Sequence, residues 1–126
     1  MARVRRVAAA AACALIVVVL GCGGDDDEPS SGLSADLTVT VWVRGADGPA
    51  RRHRVVCPGA AACRGLSAGR LRPTSANVAC TEIYGGPAVA RVRGTIDGKR
   101  VDARLNRTNG CEMARWQRNA ALLRGG

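Results

Sequence analysis

Chemistry in this chain of 126 residues would have to come from six cysteines, one histidine and a small number of acids. Four of the cysteines, Cys57, Cys63, Cys80 and Cys111, are separated by spacings that do not suit zinc, which favours closely spaced cysteine or histidine pairs. His53 is the only histidine, and no Cys-x-x-Cys motif offers a redox pair. Ser67 and Ser75 lack the sequence context of a nucleophile elbow. No pair of carboxylates stands at a useful spacing. The expectation is therefore a protein that is not an enzyme and needs no metal or cofactor. An even number of cysteines in a small exported domain reads as two disulfides. Three pairings are possible, and the local one, Cys57 with Cys63 and Cys80 with Cys111, is the reading adopted. On the chain-entropy model these closures are worth roughly 2 and 4 kcal/mol, large against a marginal fold.

The stretch from Ala76 to Pro87 reads ANVACTEIYGGP. A buried strand would not end in Gly85-Gly86-Pro87, and a helix would not begin so close to that break. The segment reads as an exposed loop anchored through Cys80, with Glu82 and Ile83 held outward.

Export is the firmest expectation for the rest of the chain. Arg3, Arg5 and Arg6 precede an apolar run of 14 residues from Val7 to Leu20. Such a run is too short to span a bilayer and suits a signal-peptide core. It ends in Val19-Leu20-Gly21-Cys22, which resembles a bacterial lipoprotein signal. That resemblance makes residues 1–21 a signal peptide and Cys22 a lipid-modified first residue, with Cys13 inside the discarded segment. Residues 22–32 carry Asp25-Asp26-Asp27-Glu28 and nothing apolar to bury, so they read as a flexible acidic tether. One domain, residues 33–126, is left. The expected location is extracytoplasmic: extracellular, or on the outer face of the membrane through the lipid on Cys22.

The domain has sixteen Arg or Lys residues against six Asp or Glu, and all the cations but Lys99 are arginine. Export, the scatter of the arginines and the scarcity of aromatic residues argue against nucleic acid as partner. Loose attraction to anionic envelope polymers or lipids, weakened by salt, is in keeping with the charge.

The elements that must position Cys80 and its loop can be read from periodicity. Leu37, Val39, Val41 and Val43 share one face of a strand, and residues 45–49 form a turn. Arg52–Cys57 reads as a second strand in a hairpin with the first. Alanine-rich residues 60–68 suggest a short helix closed by Gly69, and most of residues 71–84 read as loop. Ala88–Ile96 is a third strand, Asp97-Gly98 a two-residue hairpin turn, and Lys99–Leu105 a fourth strand. Thr108-Asn109 caps a helix from about Gly110 through Trp116. Met113, Trp116 and Leu122 are expected to pack on the sheet, and taken on its own Tyr84 reads the same way. The fold class is α+β: an antiparallel sheet of four to five strands, two short helices on one side and two disulfides.

Two segments carry a family resemblance. Gly94-Thr95-Ile96-Asp97-Gly98-Lys99-Arg100-Val101 is similar to a G-x-x-x-G-K-R-V hairpin, and Asn109-Gly110-Cys111-Glu112-Met113 to an N-x-C-E-M segment. With Val56-Cys57-Pro58 and the position of Cys80, they make about residues 37–116 resemble the Streptomyces subtilisin inhibitor family. The resemblance implies the same local disulfide pairing and a non-covalent homodimer. It also implies a reactive loop just after Cys80, in which Glu82 is the primary specificity residue and Glu82-Ile83 the reactive bond. Ala79, Cys80 and Thr81 would fill the preceding subsites, and Tyr84 would come next. The chain departs from the family in its short Cys57–Cys63 loop, in Thr81 where proline is common, in the looser Gly85-Gly86, and in an acid at position 82.

The expected partner is an extracellular serine endopeptidase, subtilisin-like or, because of Glu82, glutamate-specific. The alternative is a non-inhibitory, envelope-associated binding module that keeps the inhibitor fold.

Overall fold

The structure is a computed structural model and describes residues 32–125. The expected signal, Cys22 and the tether up to residue 31 lie outside the described residues. Alternating apolar residues drive β1 (Ala35–Trp42), whose Leu37, Val39 and Val41 are buried. β1 pairs with β2 (Ala50–Cys57) on one side and with β3 (Val89–Ile96) on the other, and β4 (Lys99–Leu105) closes the far edge. The sheet is antiparallel throughout, in the order β2-β1-β3-β4. The β1 pattern stops at Trp42: Val43, expected on the buried face, is 58% exposed because the chain is already turning towards Gly45. The Asp97-Gly98 turn between β3 and β4 holds both residues at positive φ, 49° and 74°. That is the backbone twist a two-residue hairpin needs.

Between β2 and β3 lies a long connection on the inner side of the sheet. It opens with the Cys57–Cys63 disulfide and a single 3-10 turn, Ala61–Cys63. A separate one-turn helix, α1 (Ala68–Leu71), comes next. The continuous helix expected over residues 60–68 does not form. The Ser67 hydroxyl accepts from the Arg70 N–H and starts α1, so Gly69 sits inside a helix and does not end one. After β4 come α2 (Gly110–Arg118) and α3 (Ala120–Arg124), so there are three short helices where two were expected. Asn109 caps α2, its Oδ1 accepting from the Glu112 N–H at 2.9 Å.

The helices cover one face. Leu37, Val39, Val55, Val92 and Leu105 from the sheet meet Leu71, Leu122 and Leu123 in a single core, with Trp116 partly buried against it. Burying each large aliphatic side chain contributes about 1.5–3 kcal/mol. Polar links fix the layers. His53 Nε2 lies 2.8 Å from the Leu122 carbonyl, which ties β2 to α3. Arg115, 3% exposed, pairs with Glu112 at 3.0 Å and donates to the Leu71 carbonyl, joining α2 to α1. Everything in this core, with both disulfides, lies between Leu33 and Arg124. No helix among the described residues is long and apolar enough to cross a membrane.

Candidate functional site: the loop after Cys80

The cysteines pair locally, Cys57 with Cys63 and Cys80 with Cys111. Two disulfides fit an oxidising, extracytoplasmic compartment. The second bond fastens the loop: it joins the chain just before Thr81 to the first turn of α2, with the two Cα atoms 5.4 Å apart.

Residues 79–86 form neither helix nor strand, and Ala79, Thr81, Glu82, Ile83 and Tyr84 are all exposed while Cys80 is half-buried. Ile83 and Tyr84 are 59% and 65% exposed. Tyr84 is therefore not the core or sheet residue its type suggests, because the chain around it runs over the surface. Only Trp116 keeps that role.

Main-chain hydrogen bonds bracket the loop. On the upstream side the Gly110 N–H donates to the Thr81 carbonyl at 2.9 Å. Gly110 is the first residue of α2, so its N–H has no partner within the helix and is free to hold the loop. On the downstream side the Gly85 N–H donates to the Arg107 carbonyl at 2.7 Å. Both partners belong to the stretch that leads from β4 into α2. Glu82, Ile83 and Tyr84 lie between the brackets, and among the described residues neither their main chain nor their side chains make a hydrogen bond or ion pair. Glu82 is exposed and has no ion-pair partner among the described residues.

Side chains seal the brackets. A Cβ at Gly110 would collide with Thr81 Oγ1, so the two pack in direct contact. A Cβ at Gly85 would lie 2.7 Å from the Met113 sulfur. Met113, expected on the sheet, instead packs under the downstream half of the loop. Gly85 thus fits a tight seat and is less free than its type implies, whereas Gly86 holds φ 110°.

The exposed loop and its cysteine were legible in the sequence, but Arg107, Gly110 and Met113 were not recognised as supports. Two of these act through backbone atoms, which leave no trace in residue type. The glycine next to Cys111 was the one available signal.

The site holds an exposed bond at Glu82-Ile83, a free main chain on both sides of it, and anchors at each end. Among the described residues no three His, Cys, Asp or Glu side chains gather to hold a metal. The chain matches no protein-family model, and comparison with curated proteins and with solved structures finds no match either.

Proposed function

We propose that the domain inhibits a serine endopeptidase by presenting Glu82-Ile83 as a substrate it holds and does not release. The observation that carries this reading is the double bracket around three unpaired residues. A serine protease binds an extended main chain and attacks one carbonyl, stabilising the oxyanion with its own donors. The free backbone of residues 82–84 supplies the strand it must pair with. A loop already fixed in place loses little entropy on docking, which favours tight binding.

The brackets also govern the step after attack. Once the protease serine has displaced the Ile83 amine, the Glu82 acyl group, now an ester of that serine, stays tied through Cys80–Cys111 and through Thr81 to Gly110. The new amine end at Ile83 stays tied through Gly85 to Arg107. Neither half can diffuse away, so the amine remains poised to attack the acyl group and rebuild the bond. Glu82 selects the target. An apolar pocket would have to desolvate its carboxylate without a partner, a cost of several kcal/mol, whereas a pocket lined by Arg or His would pair with it. The partner proposed is therefore a glutamate-specific endopeptidase outside the cytoplasm, where the expected signal would also carry this protein, either free or held to the outer face of the cell membrane by a lipid on Cys22.

A panel of subtilisin, trypsin and a glutamate-specific endopeptidase tests this with residues 33–126. Sub-micromolar inhibition of the last, lost in Glu82→Pro, supports the inhibitor. Inhibition of none of them supports the alternative, a binding module that keeps the fold without the activity.

A further inference from the structure

The sheet has a second face, and it is bare among the described residues. Register places Arg52 and Arg54 of β2, Arg91 and Arg93 of β3, and Arg100 and Arg104 of β4 on the side opposite the helices. Two acids share that side, Asp36 and Asp102. Asp36 accepts from Arg54 at 2.7 and 2.5 Å, and Asp102 accepts from Arg91 at 2.9 and 2.8 Å, with Arg93 3.4 Å away. These pairs fix three guanidinium groups in position and leave Arg52, Arg100 and Arg104 exposed, without an ion-pair partner among the described residues.

We propose that this face docks on a phospholipid surface bearing anionic headgroups. The cations spread over the two edge strands and a central one: β3 and β4 are neighbours, about 4.8 Å apart, and β2 lies two such spacings from β3, beyond β1. They form a plane and not a groove, which fits an array of phosphates more than a single polymer strand. Trp42 lies on the same face at its end, half-buried beside Val89, Arg91 and Arg104. An indole at the rim of a cationic plane suits the headgroup layer. A second copy of the chain is a poor occupant, because stacking two such faces would set six arginines against six. The loop at residues 79–85 is stapled to α2, on the helix side of the sheet, so docking by the arginine face leaves it in solvent. This proposal does not depend on the loop's inhibitory role. It gives six of the domain's fifteen arginines a common orientation.

Residues 33–126 without any lipid group test it, by co-sedimentation with phosphatidylglycerol–phosphatidylcholine vesicles and with pure phosphatidylcholine vesicles. The proposal expects binding to the mixed vesicles alone, weakening as salt is raised. Arg52→Gln/Arg100→Gln/Arg104→Gln should weaken that binding about tenfold or more. The corresponding lysine triple should keep it. Arg64→Gln/Arg118→Gln/Arg124→Gln removes the same charge away from the face and should change binding less than about twofold. Equal losses in the two glutamine triples would overturn the proposal, since net charge alone would then explain the attraction. So would no binding by the unaltered domain, tighter binding to a DNA oligonucleotide at equal phosphate, or a dimer in solution that the face triple dissolves.

Discussion

The Gly110 N–H and the Thr81 carbonyl meet at 2.9 Å. Thr81 directly precedes the Glu82-Ile83 bond, and Gly110 directly precedes Cys111, the cysteine that anchors the loop. This contact couples the start of a helix to the segment proposed to enter a protease. It depends on the absence of a side chain at position 110, where a Cβ would strike Thr81 Oγ1.

Gly110→Ala should therefore displace the loop while leaving the core intact, since Gly110 has ordinary helical backbone and alanine favours helix. Inhibition is expected to weaken about tenfold or more, equivalent to about 1.4 kcal/mol, with little change in melting temperature. Thr81→Ala in the same background removes the clashing oxygen and should restore part of the inhibition. Inhibition constants for the two variants check both halves of the statement.

Removing the Cys80–Cys111 bond by alanine at both positions should do two things. The chain-entropy model gives a stability loss of about 4 kcal/mol for the 31-residue separation, against about 2 kcal/mol for the 6-residue Cys57–Cys63 closure. The loop should also change from inhibitor to substrate, because the upstream half is no longer held covalently after cleavage. Urea unfolding gives the first result, and the rate of cleavage at Glu82-Ile83 the second.

Gly94 sits in the middle of β3 at φ 143°, where a Cβ would collide with the Asp36 carbonyl of β1. Gly94→Ala must push β3 from its neighbour or move strand backbone, and should cost more than about 2 kcal/mol. Gly98→Ala, also at positive φ but with open space around it, should cost less. Thermal unfolding of the two variants provides the comparison.

Hydrogen bonding from Arg91, aided by the charges of Arg91 and Arg93, holds the Asp102 carboxyl at about 2, below its ordinary 3.8. Arg54 lowers Asp36 in the same direction. A depressed carboxylate stabilises the folded state above its unfolded value, and that contribution disappears as pH falls through the folded value. The unaltered domain should exceed Asp102→Asn in stability at neutral pH, and the gap should close as pH drops from 3.8 towards about 2. Both residues are exposed, so the gap should be small and should shrink in salt. Urea midpoints across this pH range measure it.

Periodicity made the sheet legible. Alternation in Leu37–Val41 and in Val101–Leu105 requires one buried face, and Asp97-Gly98 requires a tight hairpin, so strands and turn lie where the pattern puts them. The alanine-rich stretch misled because alanine favours helix only when nothing else fixes the chain; there Cys57–Cys63 closes a tight loop and Ser67 starts a new turn. The loop after Cys80 was legible as a loop, since Gly-Gly-Pro permits little else. Its supports were not, because Gly110 and Arg107 hold it through atoms that every residue shares. Met113 also looked like a core residue from its helical position, although the surface it covers is Gly85.

The most direct test of the central claim tracks the Glu82-Ile83 bond itself. The domain is incubated with a glutamate-specific endopeptidase, and residual activity and intact chain are measured together over time. The expected result is prompt loss of protease activity while most of the chain stays uncut, with any cut confined to Glu82-Ile83 and the two halves still joined until the disulfides are reduced. Undiminished protease activity, or rapid digestion with fragments released before reduction, would contradict it.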